Sequence, residues 1–160
     1  MAVTTWYLEI TDPAQIAPAP PPVPGFEVRQ AEIPSPELSR WLYATVGADW
    51  GWTDRLEWDL ARWERWLAAG VETWLGWLRG TPAGYAQLEP GGDGIELAYF
   101  GLLPAFTGRG LGPVLLDAAV RRAWALGPRR VWVHTCSLDH PAARETYRRR
   151  GFRVYDERTS

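Results

Sequence analysis

A glycine-rich hexapeptide at residues 107–112 (TGRGLG) separates an apolar run of strand length, residues 95–103, from a helical pattern over residues 113–126. Such a strand–turn–helix unit directs backbone N–H groups and the positive end of a helix dipole at one point. Glycines there let the backbone approach an anion closely. The segment therefore predicts either a phosphate-binding loop or a tight turn without a ligand, and alone it favours neither.

The hydrophobic pattern around this loop predicts an α/β domain with a mixed sheet. Ser35 before Pro36 is a helix start, and Thr53 or Asp54 is the predicted N-cap of a second helix. The predicted strands lie at residues 6–10, 26–30, 71–78, 83–89, 95–103, 130–135 and 152–157. The predicted helices lie at residues 36–46, 54–69, 113–126 and 141–150.

Residues 13–25 contain six prolines, which predicts a stiff, extended strap laid over the domain surface and not a packed element. The chain is therefore divided into residues 1–25, a short strand with the strap, and residues 26–160, a single domain. A length of 160 residues fits one domain with a sizeable core.

Composition excludes several classes of chemistry. All 17 basic residues are arginine, so a P-loop lysine and a lysine Schiff base are ruled out. The lone Cys136 excludes an intramolecular disulfide, and two histidines argue against a histidine-rich metal site, so no metal is predicted. A net charge of -2 argues against nucleic-acid binding. No apolar run reaches ~20 residues, so no membrane span is predicted and a cytoplasmic location is expected.

Two segments carry a family resemblance. Residues 96–112 resemble the acetyl-coenzyme A (acetyl-CoA) binding motif of the GNAT superfamily of N-acyltransferases, a strand, then Q/R-x-x-G-x-G/A, then a helix. Residues 140–152 (HPAARETYRRRGF) resemble the second signature, N-x-x-A-x-x-x-Y-x-x-x-G-F. Both motifs in this order are more specific than either alone. The resemblance covers about residues 26–157 and implies a GNAT-like mixed, mostly antiparallel twisted sheet flanked by helices.

The resemblance also implies a coenzyme site. The backbone of Leu102 and Leu103 is expected to leave the neighbouring strand and hydrogen-bond the pantetheine arm. The Arg109 guanidinium is expected to add a charge-assisted contact to a phosphate. The pyrophosphate is expected to lie against the N–H groups of Gly108, Arg109, Gly110, Leu111 and Gly112.

Three positions depart from the family pattern. Thr107 replaces the usual Gln or Arg and removes one strong phosphate donor, so either coenzyme affinity is reduced or Arg109 compensates. Pro113 lacks an N–H in the first helical turn. His140 stands where the second signature has Asn. Thr107 and His140 are nevertheless counted among the predicted coenzyme-binding positions, because the backbone cradle remains.

Two side chains are implied in catalysis. Tyr147 occupies the position of a tyrosine near the coenzyme sulfur, which serves as general acid for the leaving thiolate. Glu96 occupies the position of a glutamate that deprotonates the amine, often through water. The alternatives are a core tyrosine and a solvated strand glutamate. His134 is interpreted as a hydrogen-bonded structural histidine, with a role as base or ligand as the alternative.

Residues between the first two helices are the predicted acceptor contacts. Asp49, Trp50 and Trp52 lie there, and two aromatic rings beside carboxylates suit a cationic or aromatic amine. The alternative is a loop whose tryptophans only fill the domain.

The predicted function is acetyl transfer from acetyl-CoA, a cosubstrate, to a primary amine of a small molecule or peptide within a ternary complex. The alternatives are a non-catalytic acyl-CoA binding module and an acetyltransferase acting on aminoacyl-tRNA through residues 148–150 (RRR). The family often forms dimers, so a homodimer is the alternative to a monomer.

Overall fold

The computed structural model describes residues 2–160, whose seven strands form one sheet in the order β2-β3-β4-β5-β6-β1-β7. Every neighbouring pair is antiparallel except β5 and β6, which are parallel. The predicted mixed, mostly antiparallel sheet is thereby confirmed. The strands are β1 (Thr4–Ile10), β2 (Phe26–Ala31), β3 (Glu72–Leu78), β4 (Thr81–Gly91), β5 (Gly94–Leu102), β6 (Arg130–Cys136) and β7 (Arg153–Thr159).

Helices cover both faces of the sheet and create two cores. The helices are α1 (Pro36–Gly47), α2 (Leu60–Ala68), α3 (Leu111–Ala125) and α4 (Ala143–Arg149). On one face, α3 and α4 bury apolar side chains against β1, β4, β5 and β6. On the other face, Leu42 and Val46 of α1 pack on Leu75 and Tyr85 of the sheet. The two layers cover β4 and β5 from both sides, which positions the site described below.

The first predicted helix start is confirmed, whereas the second is wrong. The Ser35 hydroxyl accepts the N–H of Leu38 at 3.2 Å and caps α1. Residues 53–58, predicted to open the second helix, form turns instead. The helix begins at Leu60, because the Asp59 carboxylate accepts the N–H of Arg62 at 2.8 Å. The N-cap of α2 therefore lies five residues after Asp54, the later of the two predicted caps.

The proline-rich segment lies against the α3 and α4 side of the sheet. The N–H of Ala17 donates to the carbonyl of Arg150 at 3.1 Å, and the Arg150 guanidinium donates to the carbonyl of Pro18 at 2.9 Å. Arg121 of α3 donates to the Ala17 carbonyl at 3.1 Å. One backbone hydrogen bond and two arginine side-chain hydrogen bonds therefore hold the segment to α3 and to the end of α4.

β1 lies between β6 and β7, so residues 4–10 belong to the same sheet as the rest of the chain. Trp6 has Thr135 of β6 on one side and Glu157 of β7 on the other. The division of the chain at residue 25 stays a prediction. In the structure, β1 is an interior strand of the sheet that residues 26–160 otherwise form.

Candidate active site

A V-shaped opening separates β5 from β6. The two strands pair through only three residue pairs, ending at Glu96 with Trp132. A β-bulge in the β4–β5 ladder lies immediately after this point, between Gln87 and Leu88. Bulges bend a strand and increase its twist, so β5 leaves β6 here. A cavity of about 720 Å³ fills the opening and reaches the N-terminus of α3 and the α1–α2 connection.

The β5 backbone presents unpaired polar groups along this opening. The N–H of Leu103 donates to the carbonyl of Ala83 at 2.8 Å, so Leu103 faces β4. Successive residues of a strand point their N–H and C=O groups to opposite sides. Phe100 and Leu102 therefore direct theirs at the cavity. Of the two residues predicted to contact pantetheine, Leu102 lines the cavity and Leu103 does not; Phe100 was not predicted.

The glycine-rich loop forms one end of the cavity. Gly110 is the N-cap of α3 at φ 77°, Gly108 has φ 79°, and no side chain caps the helix. A Cβ atom on Gly108 would have no heavy atom within 4 Å, so the backbone there is open to a ligand. An uncapped start of a 15-residue helix offers free N–H donors and a positive dipole end. The predicted cradle residues Gly108, Gly110, Leu111 and Gly112 all line the cavity.

The two side chains of the loop do not point donors at this cradle. The Thr107 hydroxyl donates to the Pro104 carbonyl at 3.0 Å and closes the preceding turn. The Arg109 guanidinium lies 5.7 Å from the centre of the Phe106 ring, and Arg109 is not among the residues that line the cavity. Anion binding at this loop would therefore depend on backbone N–H groups.

Tyr147 lies on α4 at the centre of the cavity wall. The residue is 7% exposed, and its ring packs on Phe100 and Phe152 at centroid distances of 6.0 and 5.9 Å. Within residues 2–160 no side chain or backbone group hydrogen-bonds its hydroxyl. Burial raises the pKa of Tyr147, with a smaller contribution from the charge of Asp139, so the hydroxyl keeps its proton at neutral pH.

Glu96 and His134 meet where the two strands separate. His134 Nδ1 lies 3.1 Å from Glu96 Oε2, and the Glu96 side chain is 16% exposed. Glu96 is therefore oriented by a partner inside the cavity and is not a solvated strand residue. Its position on β5 was predicted, whereas the contact with His134 was not, because the two residues lie on different strands.

This pair predicts a measurable titration. The hydrogen bond that His134 donates to the Glu96 carboxylate raises the pKa of His134 above its usual value, and this effect exceeds the opposing effect of burial. A raised folded-state pKa means that the pair stabilises the fold below the unfolded pKa of about 6.5 and loses this contribution as pH rises through the folded value. Glu96→Gln should lower the pKa of His134, as measured from its imidazole NMR shifts. An unchanged midpoint would contradict the contact.

Asp139 connects the β6–α4 turn to the α1–α2 connection. Its carboxylate accepts the Thr135 hydroxyl at 2.6 Å, the N–H of Cys136 at 2.9 Å and the indole N–H of Trp52 at 3.3 Å. The aspartate was not singled out in the sequence. Aspartate side chains often accept a hydrogen bond from a backbone N–H three residues earlier, as Asp139 does from Cys136.

Of the predicted acceptor contacts and the first residue of the second signature, all but one line the cavity. Trp50, Trp52 and His140 line the cavity, with the Trp50 ring 4.9 Å from the His140 ring. His140 Nδ1 accepts the N–H of Ala142 at 3.0 Å, the kind of contact an Asn side chain makes at a turn. Asp49 is exposed and is not among the lining residues.

The arginine run at residues 148–150 is engaged within the molecule. Arg148 and Arg149 each lie 3.5 Å from Glu145, and Arg150 lies 3.8 Å from Asp117 of α3. Arg148 and Arg149 nevertheless stay largely exposed, at 59% and 76%, so a contact of the run with tRNA stays an untested alternative.

Neither a metal cluster nor a membrane helix is found in the part of the chain that the structure describes. No three or more His, Cys, Asp or Glu side chains gather there to hold a metal ion. None of the helices over residues 2–160 has the length and apolar character needed to cross a membrane.

The fold and one family profile match known proteins. Residues 32–152 match the profile of the "Acetyltransferase (GNAT) family". A GCN5-related N-acetyltransferase from Sphaerobacter thermophilus is similar at TM-score 0.76 and 19% identity, over 98% of this chain and 50% of that one. The corresponding enzyme from Kribbella flavida gives TM-score 0.69 and 22% identity, over 98% and 56%. The chain thus spans about half the length of these two structures.

A third similar structure contains a ligand. A GNAT family acetyltransferase from Elizabethkingia anophelis with acetyl-CoA bound gives TM-score 0.60 and 17% identity, over 84% of this chain and 80% of that one. No curated protein matches the chain.

Proposed function

The chain belongs to the acetyltransferase (GNAT) family, and we propose that it transfers an acetyl group from acetyl-CoA to a primary amine of a small molecule or peptide. The observation that carries this proposal is the opening between β5 and β6, which joins the uncapped α3 start to Tyr147 and Glu96 in one cavity. A binding module would need the cradle alone. The presence of a buried tyrosine and an oriented carboxylate in the same cavity favours an enzyme.

The residues present fit acetyl-CoA. The open backbone at Gly108 and the free N–H groups of α3 suit a pyrophosphate. The unpaired backbone groups of Phe100 and Leu102 suit the amide-containing pantetheine arm, which would lie along β5 like an added strand. The Elizabethkingia protein of the same fold has acetyl-CoA bound, which supports this choice of ligand.

Acetyl-CoA supplies an activated acetyl thioester, and the chain supplies positioning and proton transfer. Glu96, held by His134, accepts the proton that the amine loses as its nitrogen bonds to the acetyl carbon. N–H groups of β5 that no β6 residue pairs are donors for the developing oxyanion. Tyr147 gives its proton to the sulfur as the carbon–sulfur bond breaks. No enzyme nucleophile is needed, because both substrates are held together.

Calorimetric titration with acetyl-CoA tests the coenzyme site. Wild-type protein is expected to bind with a Kd in the micromolar range, and Gly108→Ala is expected to weaken binding about tenfold or more, because its methyl group would project into the open cradle.

Gly92→Ala is the matched control. Gly92 also has positive φ, at 57°, and open space around its Cβ position, but it lies in the β4–β5 turn. Its substitution is expected to leave acetyl-CoA affinity unchanged. Equal effects of the two substitutions, or no binding by the wild-type protein, would contradict the proposed function.

A further inference from the structure

An arginine occupies an aromatic corner within the cavity. The Arg55 guanidinium carbon lies 4.2 Å from the centre of the Trp58 ring, 4.3 Å from Trp66 and 4.8 Å from Tyr99. The Trp66 ring meets the Trp58 ring at 71° and the Tyr99 ring at 69°. Rings on several sides hold the guanidinium by cation–π contact and restrict its rotation.

The guanidinium has no hydrogen-bond partner in the described structure. Among residues 2–160, no carboxylate lies within ion-pair distance of Arg55, and its side chain donates no hydrogen bond. Its Nη1 atom is fully buried and unpaired. Aromatic faces satisfy the charge but not the in-plane N–H donors, and a buried unpaired donor of a charged group is costly. The side chain is therefore fixed in place with its in-plane donors unused.

The same cavity holds a carboxylate that suits the amine. Glu96 and Arg55 both line it, and so does Tyr99 of β5, whose ring contacts the Arg55 guanidinium. The aromatic corner is already filled by the chain's own cation, so it is closed to the cationic group of a ligand. Because Nη1 is buried, the donors that Arg55 offers to a ligand are Nε and Nη2, whose fork geometry matches a carboxylate.

Building on the proposed function, we propose that Arg55 binds a carboxylate of the acceptor, which makes the acceptor an amino acid or similar zwitterion. Its amine would face Glu96 and its carboxylate would face Arg55. This assignment goes beyond acetylation of amines in general, because it excludes amines of equal size that lack a carboxylate as good acceptors. The expected contact of the acceptor with Trp50 and Trp52 involves other rings than those around Arg55 and stays a prediction.

Calorimetry with the coenzyme A complex tests this acceptor class without requiring turnover. The protein saturated with free coenzyme A is titrated with glycine, β-alanine, 4-aminobutyrate and 6-aminohexanoate, and with the primary amide of each. For at least one chain length, the acid is expected to bind about tenfold or more tightly than its amide. In Arg55→Gln this preference should disappear, and in Arg55→Lys part of it should remain.

The controls separate the outcomes. Arg129→Gln removes the same charge at an exposed position outside the cavity and should keep the preference. Circular dichroism checks the fold of Arg55→Gln, and the lysine variant provides the test if that protein does not fold. Equal binding of acids and amides, binding of none, or a preference that survives in Arg55→Gln would overturn the assignment alone. Failure of coenzyme A to bind would instead overturn the proposed function on which it rests.

Discussion

Replacement of Tyr147 by phenylalanine is expected to lower kcat for acetyl transfer by ~100-fold or more and to leave acetyl-CoA affinity within about twofold. The ring fills the space between Phe100 and Phe152, so the variant keeps its packing and loses only the hydroxyl. Burial raises the pKa of this hydroxyl, which therefore carries at neutral pH the proton that the proposed acid role requires. Steady-state kinetics and acetyl-CoA calorimetry on the same preparation separate the two effects.

Tyr155→Phe is the matched control for this experiment. Tyr155 is 45% exposed on β7 and does not line the cavity. Its loss of hydroxyl should leave kcat unchanged. A Tyr147→Phe variant that retained full kcat would refute the acid role. The thiolate would then leave stabilised by water and not by a proton from the enzyme.

The second large effect concerns stability. Gly151→Ala is expected to reduce the free energy of unfolding by ~3 kcal/mol or more, measured by urea denaturation. Gly151 has φ 114°, and a Cβ atom there would collide with the backbone carbonyl oxygen of Gln15 in the strap. Neither backbone can move freely, because Ala17 and Arg150 are hydrogen-bonded beside them.

Gly80→Ala separates steric collision from backbone strain. Gly80 also has positive φ, at 76°, but a Cβ atom there would have no heavy atom within 4 Å. Its substitution should reduce stability by only ~1–2 kcal/mol, the cost of the left-handed conformation. Similar losses for the two variants would show that the strap yields and that its contact with Gly151 contributes little.

Local signals predicted much of the fold. Ser35 and Pro36 define the start of α1, and the turn glycines separate the strands where the structure separates them. Such features act within a few residues and are readable in one dimension. The predicted start of α2 was wrong because Asp59 caps the helix in place of Thr53 or Asp54, and the sequence offers all three as capping residues within seven positions.

The site was predictable where its groups belong to one segment. The glycine loop and Tyr147 each lie in a continuous motif, and both line the cavity. The pairing of Glu96 with His134 and the enclosure of Arg55 depend on how β5, β6 and α2 are arranged. The backbone groups of Leu103 face β4, whereas those of Leu102 face the cavity. This difference could be predicted only from the register between β5 and β4.

The position of β1 constrains the order of folding. This strand is made before the rest of the sheet, yet both of its partners, β6 and β7, are more than a hundred residues away along the chain. Pairing of such distant segments is slow, because the intervening chain must be ordered first. During synthesis β1 stays unpaired while β3, β4 and β5 assemble through short hairpin connections. Completion of the β6-β1-β7 half should therefore be the slow phase of refolding, and chains interrupted before it are the ones most exposed to aggregation.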